Sequence, residues 1–241
     1  MILKSITALL CASALSAFNS SAAGKPNFVI IFLDDVGYAD LGCFGATKYQ
    51  TPRLDQLAKE GTKFTSMYAQ TVCGPSRGAL LTGRYPVRIG GGWKTNGEEV
   101  TVAEVLKEAG YSTACIGKWD ISQRRYQEGL VPNDQGFDYY FGIPYSNDMN
   151  HPDNKGKPKG GWAGMDILWN DPESTLTKWK TPLFEDEKIV ELPVDQRTVT
   201  RRYTQKSIDF IKANKAKPFF VYLPHSMPHI PLYVPDDVRD P

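Results

Sequence analysis

The 241-residue sequence has little of the features that mark a nucleic-acid-binding, disordered or fibrous protein. Its 28 Lys and Arg residues are nearly balanced by 27 Asp and Glu residues, so the formal net charge is only +1. Such a balance gives no field that attracts nucleic acid or an anionic membrane surface. Hydrophobic residues make up 41% and charged residues 23%, values that exclude a disordered chain or a coiled coil. There is no internal repeat, and the length suffices for one large domain with its own core.

Long hydrophobic runs are confined to the N-terminus. Lys4 precedes an apolar run over residues 6–18, and small residues at 21–23 follow it. This pattern predicts a secretory signal peptide over residues 1–23, since the run is too short and too rich in Ser and Ala to span a membrane. No later segment is apolar for long enough to cross a bilayer, so we predict no membrane span. We therefore expect a secreted or periplasmic protein.

Cysteines are also few, and they do not form a disulfide framework. Of the four, Cys11 lies in the predicted signal peptide, which leaves Cys43, Cys73 and Cys115 in the mature chain. An odd number in an exported protein indicates that at least one thiol is free or chemically altered. A bond between Cys43 and Cys115 stays open, because the sequence does not fix the distance between their Cα atoms.

Apolar stretches of strand length alternate with helical patterns along the chain. The stretches cover residues 28–33, 111–116 and 219–223. The first predicts a central parallel strand that is covered on both faces. The alternation predicts an α/β fold with a mostly parallel central sheet flanked by helices. Residues 144–195 are rich in Pro, Asn, Gly and Trp, which predicts long surface loops with room for a hairpin.

Two of the helical patterns carry start signals. Thr51 is a candidate N-terminal cap for a helix with Pro52 in its first turn, and Thr101 with Glu104 forms a candidate capping box. A third helix is predicted around residues 203–211.

Polar residues follow the predicted strands. Asp34 and Asp35 come directly after the first strand, Lys118 follows the second, and His225 follows the third. Ligands bind beyond the carboxyl ends of parallel strands, so these groups are expected to converge on one edge of the sheet. Two adjacent carboxylates suit a hard cation such as Ca²⁺ or Mg²⁺ better than zinc, although an exposed Asp pair in a turn fits the dipeptide equally well.

The run Cys-Gly-Pro-Ser-Arg at residues 73–77 precedes an apolar helical stretch. Pro75 fits the first turn of a helix, which places Cys73 at a helix N-terminus, where amide groups favour an anion. Arg77 lies one turn further on the same face, and its guanidinium suits a tetrahedral oxyanion. A lone buried cysteine usually packs as a small hydrophobe, and that interpretation holds for Cys43 and Cys115.

This run resembles the C-x-P-S-R signature of the type I, formylglycine-dependent sulfatases, the arylsulfatase family of the alkaline-phosphatase-like superfamily. Other segments resemble family landmarks in the family's order: residues 27–40, 51–58, 83–84, 117–119, 136–142 and 228–231. The resemblance covers most of the mature chain. It implies that residues 24–241 are the N-terminal portion of a sulfatase catalytic domain with the alkaline-phosphatase-like fold.

The resemblance implies a sulfuric ester hydrolase that cleaves an aryl or carbohydrate sulfate ester. A maturation enzyme would convert Cys73 to Cα-formylglycine, whose hydrated aldehyde supplies an oxygen nucleophile. Asp34, Asp35 and the modified Cys73 are implied as ligands of Ca²⁺, or of Mg²⁺ in its place, and Arg77 as the residue that holds the modified side chain. The implied substrate is a sulfated small molecule or polysaccharide.

Three further residues are implied as sulfate contacts. Lys118 and His229 would touch the sulfate, with His229 helping to protonate the leaving oxygen, and Ser146 matches a sulfate-site serine. A core or surface role is expected for His225. The Trp-rich segment 162–179 can offer a stacking surface to a sugar or aryl ring, or can simply pack a loop.

Two departures from the family pattern leave alternatives open. Many relatives carry His where this chain has Asp120. Asp120 is a candidate catalytic residue, because a carboxylate there can accept a proton at the formylglycine hydrate, but it cannot donate as a cation. The chain ends at Pro241, before the family's second metal-binding pair and second active-site lysine, so we expect a portion of a longer enzyme that is weak or inactive alone. The alternatives are a phosphatase or phosphodiesterase of the same superfamily and an inactive fragment that binds sulfate esters.

Overall fold

The computed structural model describes residues 24–90, 97–121, 131–149 and 180–238. The α-helices in this part of the chain are α1 (Pro52–Glu60), α2 (Cys73–Thr82), α3 (Val102–Glu108) and α4 (Val199–Asn214). The strands are β1 (Phe28–Phe32), β2 (Ser112–Ile116), β3 (Tyr139–Gly142), β4 (Leu183–Glu185), β5 (Lys188–Glu191) and β6 (Phe219–Pro224). The predicted signal peptide and the Trp-rich segment 162–179 lie outside the described residues. None of the described helices is both long and apolar enough to cross a membrane.

The strands form one six-stranded sheet in the order β1-β6-β2-β3-β4-β5 within the described residues. Strands β1, β6, β2 and β3 pair in parallel, and the hairpin of β4 and β5 adds antiparallel strands beyond β3. The α/β fold with a mostly parallel central sheet is therefore confirmed. Strands β1, β6 and β2 point their carboxyl ends toward the same edge.

Helices cover the two faces of the sheet. On one face, Leu81 of α2 and Ala103 of α3 pack with Cys115 of β2 in a buried apolar cluster. On the other face, Tyr203 of α4 packs with Ala114 in a second cluster. Successive β2 residues therefore face opposite layers, as the period of a strand requires.

The capping box predicted at the start of α3 is present. The Thr101 hydroxyl accepts from the Glu104 amide at 3.2 Å, and the Glu104 carboxylate accepts from the Thr101 amide at 2.7 Å. Thr51 precedes α1 as predicted, but its side chain does not cap the helix. It accepts from the Gly42 amide at 2.8 Å and donates to Asp55 at 2.9 Å, so a tertiary contact replaces the cap.

The prediction that the first strand is covered on both faces is wrong for this structure. Strand β1 lies at an edge of the described sheet, and Val29 and Ile31 are 47% and 52% exposed. An apolar run reports the chemistry of a strand but not which neighbours it has, so the pattern could not separate a central strand from an apolar edge strand.

The prediction of surface loops over residues 144–195 is wrong at both described ends of that segment. Ser146 and Asn147 are almost fully buried, and so are Leu183 and Phe184 of β4. A polar composition does not require exposure here, because buried polar groups of this segment form hydrogen bonds inside the protein. For example, the Asn147 carbonyl accepts from Gln196 Nε2 at 2.9 Å. The hairpin that the prediction allowed is the β4–β5 pair.

Candidate active site

Glycines allow the carboxyl ends of β2, β3 and β6 to approach each other closely at one edge of the sheet. The Lys118 amide donates to the carbonyl of Pro224 at 2.7 Å, which joins the ends of β2 and β6. Gly117 has a φ of +138°, and a Cβ atom on it would overlap the Pro224 carbonyl oxygen. A Cβ atom on Gly142 would in turn overlap the carbonyl oxygen of Gly117. Glycine is therefore required at both positions for the strand ends to approach each other.

The side chains at this edge form a buried cluster of four charges. Lys118 Nζ lies 2.7 Å from Asp34 Oδ2 and 3.4 Å from Asp120 Oδ2, and Arg77 Nη2 lies 3.4 Å from Asp34 Oδ1. The four side chains are at most 5% exposed. Two carboxylates and two cations sum to a formal charge of zero, which is the condition under which buried ions are tolerated.

The electrostatics of the cluster keep Asp34 and Lys118 charged. Burial alone would raise the pKa of Asp34, but Lys118 and Arg77 outweigh it and lower that pKa below its ordinary value. Burial alone would lower the pKa of Lys118, but Asp120 and Asp34 outweigh it and raise that pKa. At the edge of the sheet, Asp34 is therefore held as a carboxylate and Lys118 as an ammonium.

Arg77 connects helix α2 to the strand ends. It is fully buried, its Nη1 donates to the Lys118 carbonyl at 3.0 Å, and its guanidinium lies 5.0 Å from the centre of the Phe32 ring. These contacts fix the first turn of α2 against β1 and β2. The position of Cys73 follows from them, since it is the first residue of the same helix.

Cys73 begins α2, as its Pro75 predicted, and is partly buried. Its Sγ donates to Asp120 Oδ2 at 3.3 Å. Burial raises the pKa of the Cys73 thiol to about 11; Asp120 and Asp34 add to this effect and Lys118 opposes it. The unmodified side chain is therefore a neutral thiol near pH 7 and a poor nucleophile. Cys43, Cys73 and Cys115 are all free thiols, so the bond between Cys43 and Cys115 does not form.

Asp34 and Asp35 are adjacent, but their side chains have different surroundings. Asp35 adopts a φ of +61°, in the left-handed region, which sharply turns the backbone between the two residues. The Asp34 side chain is 2% exposed and the Asp35 side chain is 58% exposed. The pair is therefore neither a simple exposed turn nor a doubly buried site.

His229 lies on the outer side of the cluster. Its Nε2 is 3.7 Å from Asp35 Oδ2 and 3.5 Å from Ser146 Oγ. Its Nδ1 lies 2.6 Å from the carbonyl oxygen of Ile230, which requires a proton on Nδ1. Nε2 is consequently the ring nitrogen that faces Ser146 and Asp35.

The donors available for a cation are of the hard oxygen type. Asp34 and Asp35 carry carboxylates of the kind that Ca²⁺ and Mg²⁺ prefer. The described residues contain no group of three or more His, Cys, Asp or Glu side chains arranged for a metal. The chemistry of these two carboxylates fits the predicted cation.

His225 does not join this site. It packs against the Tyr203 ring with 6.2 Å between ring centres, and burial lowers its pKa to about 4. Its Nδ1 is buried without a hydrogen-bond partner among the described residues. The core role expected for it agrees with this position.

Asn147 is a positioning residue that no sequence pattern indicates. Asn147 Nδ2 donates to the carbonyl of Pro231 at 3.3 Å and so ties the loop of Ser146 to the loop of His229. These partners are 84 residues apart, and no spacing pattern in the sequence links them. The sequence shows only that Asn147 directly follows the candidate residue Ser146.

The fold and the site define the class: an α/β protein with a buried cluster of charged side chains at the carboxyl edge of its sheet, next to a helix N-terminus and an imidazole. The chain belongs to the sulfatase family, whose profile matches residues 26–241. Arylsulfatase G of Rattus norvegicus is 38% identical over 243 residues, which cover 94% of this chain and 45% of that protein. N-acetylgalactosamine-6-sulfatase of Mus musculus is 34% identical, with coverage of 93% and 44%.

A solved structure supports the same assignment. The crystal structure of Ps i-CgsB matches with a TM-score of 0.69 and 31% identity, over 88% of this chain and 47% of that one. The same protein has been crystallised in complex with k-i-k-neocarrahexaose. The alkaline-phosphatase-like sulfatase fold is therefore confirmed. The chain spans about half the length of the curated relatives it matches.

Proposed function

We propose that this chain is the N-terminal portion of a sulfuric ester hydrolase that cleaves an aryl or carbohydrate sulfate ester. The observation that carries the proposal is the position of Cys73, the first residue of α2, 3.3 Å from Asp120 and anchored through Arg77 to the charged strand ends. Membership of the sulfatase family supports the reaction class. Residues 24–241 form this portion of the catalytic domain, and the signal peptide over residues 1–23 directs it to secretion or to the periplasm.

The nucleophile is Cα-formylglycine made from Cys73 by a maturation enzyme. A thiol with a raised pKa gives little thiolate near pH 7, so the unmodified side chain is poorly suited to attack an ester that is already anionic. The modified residue supplies an oxygen nucleophile at the start of α2. The amide groups of this helix N-terminus favour the negative charge that gathers there.

The cations of the cluster bind the sulfate group. Lys118 stays protonated between two carboxylates and offers ammonium hydrogens to the sulfate, while Arg77 holds the side chain at position 73 in place. Asp34, Asp35 and the modified residue 73 would hold Ca²⁺, or Mg²⁺ in its place, and this cation would offset the charge of the bound ester.

His229 protonates the leaving oxygen. The tautomer fixed by the Ile230 carbonyl turns Nε2 toward the site, where a proton on it can be passed to the departing alcohol. Asp35 Oδ2 lies 3.7 Å from Nε2, and Ser146 at 3.5 Å holds either the ring or the sulfate.

The substrate belongs to the aryl or carbohydrate sulfates, as a small molecule or a polysaccharide. The printed names of the relatives support a carbohydrate, since one acts on an N-acetylgalactosamine 6-sulfate and another binds a neocarrahexaose.

Two measurements on protein co-expressed with a maturation enzyme test the proposal. Mass spectrometry of the peptide that contains Cys73 should show the loss of sulfur and the gain of an aldehyde. Turnover of an aryl sulfate should then exceed turnover of the matched aryl phosphate. A thiol that persists under these conditions contradicts the proposal, and turnover of the phosphate alone points to a phosphatase of the same superfamily.

A further inference from the structure

Ser146 and His229 approach each other from the ends of strands that are not neighbours. Ser146 follows β3 and His229 follows β6, and β2 lies between these two strands in the sheet. The two side chains nevertheless come together, with Ser146 Oγ 3.5 Å from His229 Nε2. Because hydrogen bonds of the sheet do not join β3 directly to β6, other groups must set this distance.

Asn147 joins the two loops. Its Nδ2 donates to the Pro231 carbonyl at 3.3 Å, and its backbone directly follows Ser146. Pro231 is the neighbour of Ile230, whose carbonyl oxygen lies 2.6 Å from His229 Nδ1. A displacement of Asn147 would therefore move Ser146 and also the carbonyl that orients the His229 ring.

Asn147 is in turn held by Gln196, which lies between β5 and α4. Gln196 Nε2 donates to the Asn147 carbonyl at 2.9 Å, and the Thr181 hydroxyl donates to the same oxygen at 3.4 Å. Gln196 sits inside a tight turn that is closed by a 3.0 Å hydrogen bond from the Thr198 amide to the Asp195 carbonyl. The side that holds Asn147 is therefore itself fixed at the start of α4.

The hydrogen bond that each of these two amides donates is its main polar contact. Asn147 and Gln196 are 1% and 2% exposed, and Asn147 Oδ1 and Gln196 Oε1 are buried without a hydrogen-bond partner in the described part of the chain. A buried polar atom without a partner lowers stability, and an apolar side chain would avoid that cost. What an apolar side chain could not supply is the donated bond between distant segments.

We propose that Gln196 is a positioning residue of the candidate active site, which acts through Asn147 to set the approach of His229 to Ser146. The proposal rests on the sulfatase function proposed above. Gln196 takes no part in the chemistry, since it holds a carbonyl oxygen and transfers no proton. Its loss would let the general acid move away from the leaving oxygen, and a misplacement of about 1 Å can slow a reaction by up to about 100-fold.

The test uses the mature, full-length enzyme and two esters, phenyl sulfate and nitrophenyl sulfate. Gln196→Met keeps the length of the side chain and removes the donor. It should lower kcat for phenyl sulfate about tenfold with little change in KM, because phenolate is the poorer leaving group and depends more on the acid. The loss for nitrophenyl sulfate should be much smaller. Equal losses for both esters, or no loss, would overturn the proposal.

Gln135→Met is the matched control. Gln135 is also 2% exposed and also has a buried oxygen without a hydrogen-bond partner among the described residues, but its amide donates to the carbonyl of the adjacent Asp134 at 3.3 Å. It precedes β3 and so lies toward the opposite edge of the sheet. Its variant should keep the wild-type kcat for both esters, and a selective loss in it would count against the proposal.

A double variant shows whether Gln196 acts through His229. Residues that act as one unit do not contribute independently, so Gln196→Met should add no further selective loss for phenyl sulfate when His229→Gln is already present. An independent, multiplicative loss in the double variant contradicts the proposed route.

Melting temperatures separate a loss of positioning from a loss of folding. Gln196→Met should melt within a few degrees of the wild type. If it does not fold, Thr181→Val takes its place, because it removes the longer hydrogen bond to the same carbonyl. That variant should show a smaller loss with the same preference for phenyl sulfate, and a loss without this preference would refute the proposal. Absence of turnover of both esters by the wild type contradicts the sulfatase function instead.

Discussion

Lys118 Nζ lies 2.7 Å from Asp34 Oδ2, and this pair joins the end of β2 to the end of β1 inside the protein. Neither side chain has useful access to solvent, so each offsets part of the other's charge, with Arg77 and Asp120 offsetting the rest. The pair therefore contributes both to the fold at the sheet edge and to the charge of the candidate active site.

Removal of the ammonium from this pair should be costly. Lys118→Met leaves Asp34 buried with Arg77 alone at 3.4 Å, and breaking a buried pair costs about 3–5 kcal/mol. Urea unfolding of the variant measures the loss. The control is Lys107→Met, which breaks an exposed pair with Asp138 and should cost about 1 kcal/mol or less. Equal losses in both variants would show that the Lys118 pair is no stronger than a surface one.

His225 should make stability depend on pH. Its pKa is lowered by burial to about 4, whereas the unfolded chain titrates near the ordinary value of 6.5. Between these values the unfolded state binds more protons, so stability is complete above pH 6.5 and falls as the pH drops toward 4. Urea midpoints measured from pH 7 to pH 4 should decline, and His225→Gln should flatten part of that slope. An unchanged slope in the variant would assign the decline to other groups.

Replacement of the nucleophile precursor should abolish activity without unfolding the protein. Cys73→Ser keeps the size and the hydrogen bond to Asp120 but cannot give the same covalent chemistry, so aryl sulfate turnover should fall to background. Its melting temperature should stay within a few degrees of the wild type. Cys43→Ser is the matched control and should keep full activity. Comparable turnover in Cys73→Ser and the wild type would refute the proposed nucleophile.

Calcium should raise the melting temperature through Asp35. A cation that binds only the folded state stabilises it by mass action, and Asp35 is exposed enough to be changed without loss of the core. Asp35→Asn should show a smaller calcium-dependent rise than the wild type, with equal melting temperatures in EDTA. Identical rises in the two proteins would exclude Asp35 as a ligand.

The effect on kcat of removing the proposed general acid, His229, should depend on the leaving group of the substrate. His229→Gln should lower kcat by about 10²- to 10⁴-fold for carbohydrate sulfates, whose alcohols need a proton to leave. The loss should be much smaller for nitrophenyl sulfate, because a nitrophenolate leaves without protonation. A uniform loss across both substrates would assign His229 to binding instead.

The sequence predicted the elements that carry local signals. Pro75 marked the start of α2, the Thr101 and Glu104 pair marked α3, and the polar residues after the apolar runs marked one edge of the sheet. Each of these signals acts within a few residues, or through the general geometry of parallel sheets.

Long-range relationships could not be predicted in the same way. The contact between Cys73 and Asp120 joins residues 47 apart, and it depends on a backbone conformation that no residue pattern specifies. The exposed state of Val29 depends on which strands flank β1, and the buried state of Asn147 depends on partners supplied by distant loops. These contacts and exposures are set by the tertiary structure, which local sequence patterns do not specify.

The glycines at the strand ends place a limit on how this site can vary. Neither Gly117 nor Gly142 has a side chain that could take part in chemistry, yet a single added methyl group at either one would push apart the strands that bring Lys118 to Asp34. Alanine at these two positions should therefore be as damaging as the loss of a charge. The tolerance of the site to mutation is set by backbone clearance as much as by its reactive groups.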